Sequence, residues 1–383
     1  MKEHENNQKS IEKVGILNVQ YVNNYGAVLL CYALQEAVKK LGYKSEVIDY
    51  RPTQFTNNGL VGKIKNIGLL RNLKDNLKSK VKGNQRSVNN NTYKKDKNFY
   101  KFKNNYLNRS SIYETSDDMK NLNYDAYIVG SDVVWKPGRI NSEECDVYFL
   151  AFTKEKECKR LAYAASIGTD DKELLDRVSN KISSKISIFD SVSTREKTTV
   201  PYLESLYNKK VQWCIDPTLL LEKVDYERIV PDECPNENYI YLYMFENSNE
   251  AYKLANEYSK KLGLPVICQC GNPDKLDNVL QCSRDDGPIE FMNRVKNASF
   301  VITDSFHGMV FSVIFEKEFI TLSRGNISIR MQDFLERIQL TDRFKSLDNT
   351  KFKNPETIDY EKVNDIINIW RKESFNYLND SLK

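Results

Sequence analysis

Histidine is almost missing from this chain: of 383 residues, only His4 and His307 carry an imidazole. Proton transfer by histidine near neutral pH therefore falls on one of two positions. His4 lies in the polar run Met1 to Ser10, and residues 1–12 are expected to be a disordered tail. That run lacks the apolar stretch of a secretory signal peptide, so a cytoplasmic location is expected. No segment is long and apolar enough to read as a membrane span. The dinucleotide fingerprint G-x-G-x-x-G and the P-loop are both lacking, which removes the sequence signal for NAD or ATP. The eight cysteines follow no framework spacing and fit reduced, buried thiols. Cys268, Cys270 and Cys282 lack the fourth ligand of a zinc site, so no metal is expected. A net charge of +4 is too small to imply nucleic acid as a partner.

What is present is 40% apolar and 29% charged residues, the balance of a soluble globular protein. The length exceeds what one hydrophobic core organises, so two domains are expected. KVGILNV reads as a strand that ends at an Asn-rich turn. Ala27, Leu30, Leu34, Val38 and Leu41 then recur at helical spacing, and SEVIDY after Gly42 is a second strand: a βαβ unit. YDAYIVGS, RLAYAAS, IFDSVSTR and VQWCID continue the strand pattern, with a helix from about Asp171 to Ile188. A second set starts with YIYLYMF and runs through a helix (Glu250 to Leu262), the strand PVICQC, a helix (Ile289 to Lys296) and FVITD leading into another helix.

The expected fold class is thus α/β: two doubly wound, Rossmann-like domains facing a cleft, GT-B-like. The first would span 13–231 and the second 232–383, with a hinge at Pro231 to Asn238 and the last helix packing back on the first domain. Ligands of such sheets sit beyond the carboxyl ends of the strands, so residues there count most.

Between about 60 and 113 a basic insertion interrupts the first domain. Ile64, Ile67, Leu70, Leu73, Leu77 and Val81 alternate with lysines and arginines as a basic amphipathic helix over 63–82. It is either a surface helix packed on its own domain or a peripheral contact with the inner face of an anionic membrane. The Asn- and Lys-rich stretch that follows, to Asn105, reads as a mobile loop.

His307 follows the strand FVITD and opens a helix, with Ser305 as its N-cap in D-S-F-H-G. A helix N-terminus offers unpaired amides to a phosphate or carboxylate, and Gly308 permits close approach. The other reading of His307 is a bond to a neighbouring loop. In S-T-R-E-K, Arg195 and Lys197 follow a strand and form a fork for an anion, unless Arg195 serves a structural acid. Arg324 and Arg330, after the next strand, are further cations for the same anion. Asn23, Asn24, Tyr25 and Gly26 at the first turn, with Ser131, Asp132 and Trp135 after a later strand, are residue types that bind sugars by hydroxyl bonding and ring stacking. Turn chemistry or helix capping would explain several of them equally well.

The runs N-N-Y-G-A-V-L-L-C-Y-A-L-Q, V-G-S-D-V-V-W, Y-A-A-S-I-G, S-T-R-E-K, I-D-P-T-L-L-L and V-I-T-D-S-F-H-G, in this order from about Val14 to Arg330, resemble the signatures of the polysaccharide pyruvyl transferases. The resemblance implies phosphoenolpyruvate as donor co-substrate, with no other cofactor. The acceptor would be a sugar of a surface polysaccharide or its polyprenyl-linked precursor. It implies His307 as the catalytic residue and Arg195 as a donor ligand. Residues from about Leu60 to Tyr113 share no signature with the family. The alternatives are a nucleotide-sugar glycosyltransferase of the same architecture, and a non-catalytic carbohydrate-binding protein.

Overall fold

A computed structural model of the chain describes residues 11–53, 83–231, 238–246, 248–323, 329–346 and 356–383, with backbone alone for 83–93. The polar tail up to residue 10, the amphipathic segment 63–82, most of the hinge and Arg324 lie outside the described residues.

Seven strands form the first sheet: β1 (Lys13–Leu17), β2 (Lys44–Tyr50), β3 (Arg109–Tyr113), β4 (Ala126–Gly130), β5 (Lys159–Ala165), β6 (Ser191–Thr194) and β7 (Val211–Trp213). They lie in the order β3-β2-β1-β4-β5-β6-β7, and every pairing is parallel. The second sheet is built from β8 (Ile240–Tyr243), β9 (Val266–Gln269), β10 (Val279–Cys282), β11 (Phe300–Thr303), β12 (Glu318–Leu322) and β13 (Phe344–Lys345). Its order, β10-β9-β8-β11-β12-β13, repeats the first, again all parallel. The central strands are buried on both faces, which is why they read as continuous apolar runs: Ala126–Gly130 and Val266–Gln269 are buried throughout. In each sheet the order in which strands are added reverses once, between β1 and β4 and between β8 and β11. The crevices at these two switch points are where ligands of doubly wound sheets bind.

The helix Tyr25–Lys40 follows β1. It is buried nearly all round because it lies between the first sheet and the second domain. Asn24 caps it, its side-chain oxygen accepting from the Ala27 amide at 3.2 Å. Tyr25 crosses to the second domain: its ring stacks between Phe99 and Phe291, and its hydroxyl donates to the Asp286 carbonyl at 2.7 Å. One apolar cluster accordingly runs through both halves, from Val14 and Tyr25 to Phe311 and Trp370. The C-terminal helix Tyr360–Leu382 lies against the first sheet: Trp370 Nε1 donates to the Trp213 carbonyl, Arg371 Nε to Leu219 and the Tyr377 hydroxyl to Ala162.

One expected loop is a helix. Gly83–Tyr106 forms a single 24-residue helix in place of the mobile Asn- and Lys-rich stretch. Phe99 and Phe102, three residues apart on one face, are buried in the shared core and hold it there. The strand Arg109–Tyr113 after it is the edge of the first sheet.

Candidate functional site

Strand ends at both switch points converge on one cavity of about 250 Å3. Asn24 comes from the turn after β1, Asp132 from the end of β4, Phe245 from the end of β8, and Asp304, Ser305, Phe306 and His307 from the end of β11; Arg330 and Met331 close it. A larger cavity, about 550 Å3, lies elsewhere, between the helix Gly83–Tyr106 and the helix Pro288–Asn297. Its one carboxylate, Glu290, is spent on the Gly287 amide, so it offers no acid–base pair.

His307 sits in the first turn of the helix Phe306–Ile314. Ser305 caps that helix, its Oγ accepting from the Gly308 amide at 3.3 Å. The amides of Phe306 and His307 have no acceptor among the described residues. The imidazole is 12% exposed. Its Nε2 is 3.7 Å from Asp216 Oδ2 and has no hydrogen-bond partner, and Phe306 meets the ring edge-on at 5.2 Å.

Gly26 is placed against the other side of the ring. A β-carbon there would lie 2.0 Å from His307 Nδ1 and 2.4 Å from Cε1, so only glycine lets the two domains meet here. Helix propensity alone would make Gly26→Ala stabilising by up to about 1 kcal/mol. The clash reverses the sign: we expect a loss of about 1–3 kcal/mol, typical of overpacking, and a displaced His307 that slows turnover at least tenfold. Thermal melts and steady-state rates check both, and a variant as active as wild type would mean the ring has room to move.

Asp216 is the centre of a buried ionic group. Its Oδ2 accepts from Arg195 Nη1 at 3.0 Å, and its Oδ1 accepts from the Thr218 amide and hydroxyl at 3.0 and 2.7 Å. Burial alone would raise the Asp216 carboxyl, but His307, Arg195 and Thr218 outweigh it and hold it well below the usual carboxylate range. Burial disfavours the Arg195 charge, yet Asp216 and Glu196 more than restore it, so the guanidinium lies above its ordinary value. Arg195 Nε and Nη2 nevertheless have no hydrogen-bond partner. Glu196, 3.7 Å from Nε, is engaged by the Ser166 hydroxyl at 2.6 Å.

Of the residues singled out in the sequence, the structure brings His307, Ser305, Arg330, Asn24 and Asp132 around one cavity, with Gly26 against the His307 ring. Arg330 makes no ion pair among the described residues. Burial, and then the nearby Arg195 charge, push its pKa below the ordinary value. Ser131 and Asp132 both take left-handed backbone angles, φ 33° and 73°, which bend the chain sharply at the end of β4 and store strain there.

Other candidates are placed differently. Arg195 does not line the cavity; it backs it, as the partner of Asp216. Lys197 is exposed, its ammonium 5.7 Å from the centre of the Trp213 ring, and it does not line the His307 cavity. Gly308 is needed for packing rather than ligand approach, since a β-carbon would lie 2.4 Å from Thr303 Oγ1. Trp135 offers no face to a sugar: it is fully buried, stacked on Phe149 at 5.0 Å, with Nε1 donating to the Tyr148 carbonyl. Tyr25 is likewise a core ring between the domains. Asn23 is tied to the helix Gly83–Tyr106, donating to Asp96 at 2.7 Å and accepting from Lys103 at 3.1 Å. Asp216 and Glu196 were missed as site residues, although both stand inside runs that the sequence singles out.

Lys103 also reaches the carbonyls of Tyr21 and Val22, so it anchors the turn that leads to Asn24 and Gly26. Burial, then Arg109 and Arg51, lower its pKa to about 7. The unfolded chain holds this proton up to about pH 10. Between those values the unfolded state binds more protons, so folding stability rises with pH above 7, by at most about 1.4 kcal/mol per unit. Lys103→Met should flatten that rise between pH 7 and 9 in thermal melts. An unchanged slope would mean the ammonium is not the group titrating.

No described helix is long and apolar enough to cross a membrane, and no three His, Cys, Asp or Glu side chains among the described residues are grouped to hold a metal ion. No curated protein matches the sequence. Among solved structures, a Listeria monocytogenes protein assigned as a UDP-N-acetylglucosamine 2-epimerase superposes with a TM-score of 0.52 at 10% identity, covering 97% of this chain and 91% of its own. Another UDP-N-acetylglucosamine 2-epimerase structure gives 0.50 at 11% identity with the same coverage. These likenesses establish the two-domain GT-B-type arrangement. The sequence goes further than the fold: residues 24–326 match the polysaccharide pyruvyl transferase family, and with most of the chain inside that match, the protein belongs to it.

Proposed function

We propose that the enzyme transfers the pyruvyl group of phosphoenolpyruvate to two hydroxyls of a sugar in a surface polysaccharide or its lipid-linked precursor, forming a ketal and releasing phosphate. The observation that carries this reading is Arg330: a partly buried guanidinium with no ion pair among the described residues, on the wall of the cavity that holds His307. An anionic donor would relieve that unpaired charge, and the free amides at the start of the His307 helix add to the attraction.

The chemistry needs a proton delivered to the methylene carbon as one sugar hydroxyl gives up its own proton to a base and its oxygen bonds to the neighbouring carbon. The bond to phosphate then breaks, the phosphate leaves with the electron pair, and the second hydroxyl adds while giving up its proton. His307 serves as the proton-transfer group. Asp132, on the first-domain wall of the same cavity, serves as the acceptor for a sugar hydroxyl. Arg195 acts through Asp216 as a positioning residue, holding the carboxylate beside the imidazole.

Incubation with phosphoenolpyruvate and a panel of glycosides, followed by phosphate release and detection of an acid-labile pyruvyl ketal, tests the reading. Phosphate release that requires a glycoside is the expected result. Release of nucleotide from a nucleotide sugar, with phosphoenolpyruvate untouched, would replace it with glycosyl transfer.

A further inference from the structure

A second cavity, about 290 Å3, opens on the first-domain side and shares two wall residues, Asp132 and Arg330, with the His307 cavity. The two spaces therefore meet at the carboxylate and the guanidinium. Most of the second wall comes from the segment after β4 and the short helix Glu143–Tyr148, including Lys136, Arg139, Glu144 and Tyr148. The segment is held in place by backbone bonds to the turn after β5, Trp135 to Ser166 and Ser166 to Asp132. Gly168 fits there because a β-carbon would lie 2.4 Å from Val133 Cγ1. Its volume is at the small end of ligand sites, roughly 300–1,000 Å3, which suits a sugar ring rather than an oligosaccharide.

The charges along this wall do not cancel. Arg139 pairs with Glu144 at 2.8 Å, and the same carboxylate oxygen accepts the Tyr21 hydroxyl at 3.0 Å. Lys136, Asp132 and Arg330 make no ion pair among the described residues. Asp132 and Arg330 offset each other at the shared boundary, where the donor also lies. Lys136 remains as a surplus positive charge; it is exposed and, unlike Asp132 and Arg330, does not line the His307 cavity.

We propose that this cavity is the acceptor subsite and that it takes a glycosyl group carrying an anion at its aglycone end, read by Lys136. The inference rests on the pyruvyl-transfer reading. The sugar ring lies with its reacting hydroxyls toward Asp132 and the donor, and with the substituent on its anomeric carbon at the mouth. An ammonium there is a point charge that binds phosphate or carboxylate without fixed geometry.

The test uses pairs of acceptors with identical ring hydroxyls: a hexose 1-phosphate against the methyl hexoside, and a 4-carboxyphenyl hexoside against the phenyl hexoside. With phosphoenolpyruvate saturating, the ratio of kcat/KM for charged over neutral acceptor is expected to be about ten in the wild type, the scale of one charge-assisted hydrogen bond at a partly exposed site. It should fall to about one in Lys136→Met and below one in Lys136→Glu. A preference confined to the phosphate pair makes the anion a glycosyl phosphate; one seen in both pairs makes it any anion at that position. Equal ratios in wild type and variants would overturn the proposal. So would a Lys136 variant that raises the KM for phosphoenolpyruvate and leaves acceptor selectivity alone. If no acceptor supports phosphate release, the pyruvyl-transfer reading has failed. Calorimetric affinities for the same pairs, wild type against Lys136→Glu, then decide the subsite by themselves.

Discussion

Replacing His307 with alanine is expected to lower phosphate release by about 100- to 10,000-fold, the range that a positioned general acid–base group contributes. His307 is the only imidazole among the described residues. The fold should survive, because the helix keeps its Ser305 cap and its buried residues from Met309 to Ile314. Circular dichroism melts separate a folded, inactive variant from an unfolded one. Added imidazole should recover part of the rate by entering the space left beside Gly26. Retention of more than a tenth of the wild-type rate would move the proton transfer to another group, with Asp132 as the first to examine.

The fold was legible wherever burial is strong on both faces. β1, β4, β5, β8, β9 and β11 announce themselves as apolar runs because both faces of each sheet are covered, and the βα order then leads to two doubly wound domains. β10 and β3 escaped notice, since edge strands need no such run: Val279 and Leu280 are partly exposed, and Arg109–Tyr113 is polar. The helix Gly83–Tyr106 failed for a related reason. Its composition is that of a solvated loop, and only Phe99, Phe102 and Tyr106 at three- and four-residue spacing mark the face that packs. In the site, strand-end placement singles out His307 and Asp132, and the structure sets both on the wall of one cavity. Residue type alone misled at Trp135 and Tyr25. Aromatics near strand ends suit sugar stacking, but V-V-W is also an apolar run, and both rings are core. Asp216 was hidden because its role depends on Arg195 and His307, 21 and 91 residues away in the chain, and no local pattern reports such a pairing.

That buried pairing sets the largest stability effect expected here. Asp216→Asn preserves shape and the acceptor for Thr218 but removes the charge that compensates Arg195, whose side chain is 3% exposed. Glu196 cannot replace it fully, being 3.7 Å from Nε and already bonded to Ser166. Breaking one side of a buried pair typically costs about 3–5 kcal/mol, so the melting midpoint should fall by roughly 5 °C. Removing both charges, with Arg195→Met and Asp216→Leu together, should recover much of that loss, because two apolar groups leave no stranded ion. Turnover should stay low in the double variant, since nothing then holds a carboxylate beside His307. The acid limb gives a further check on sign. A carboxyl held below its unfolded value of about 4 contributes stability that is complete above that pH and is lost as pH falls below it. Asp216→Asn should therefore melt with a weaker dependence on pH below 4 than the wild type. Equal midpoints for Asp216→Asn and wild type at neutral pH would mean that Arg195 finds its compensation elsewhere.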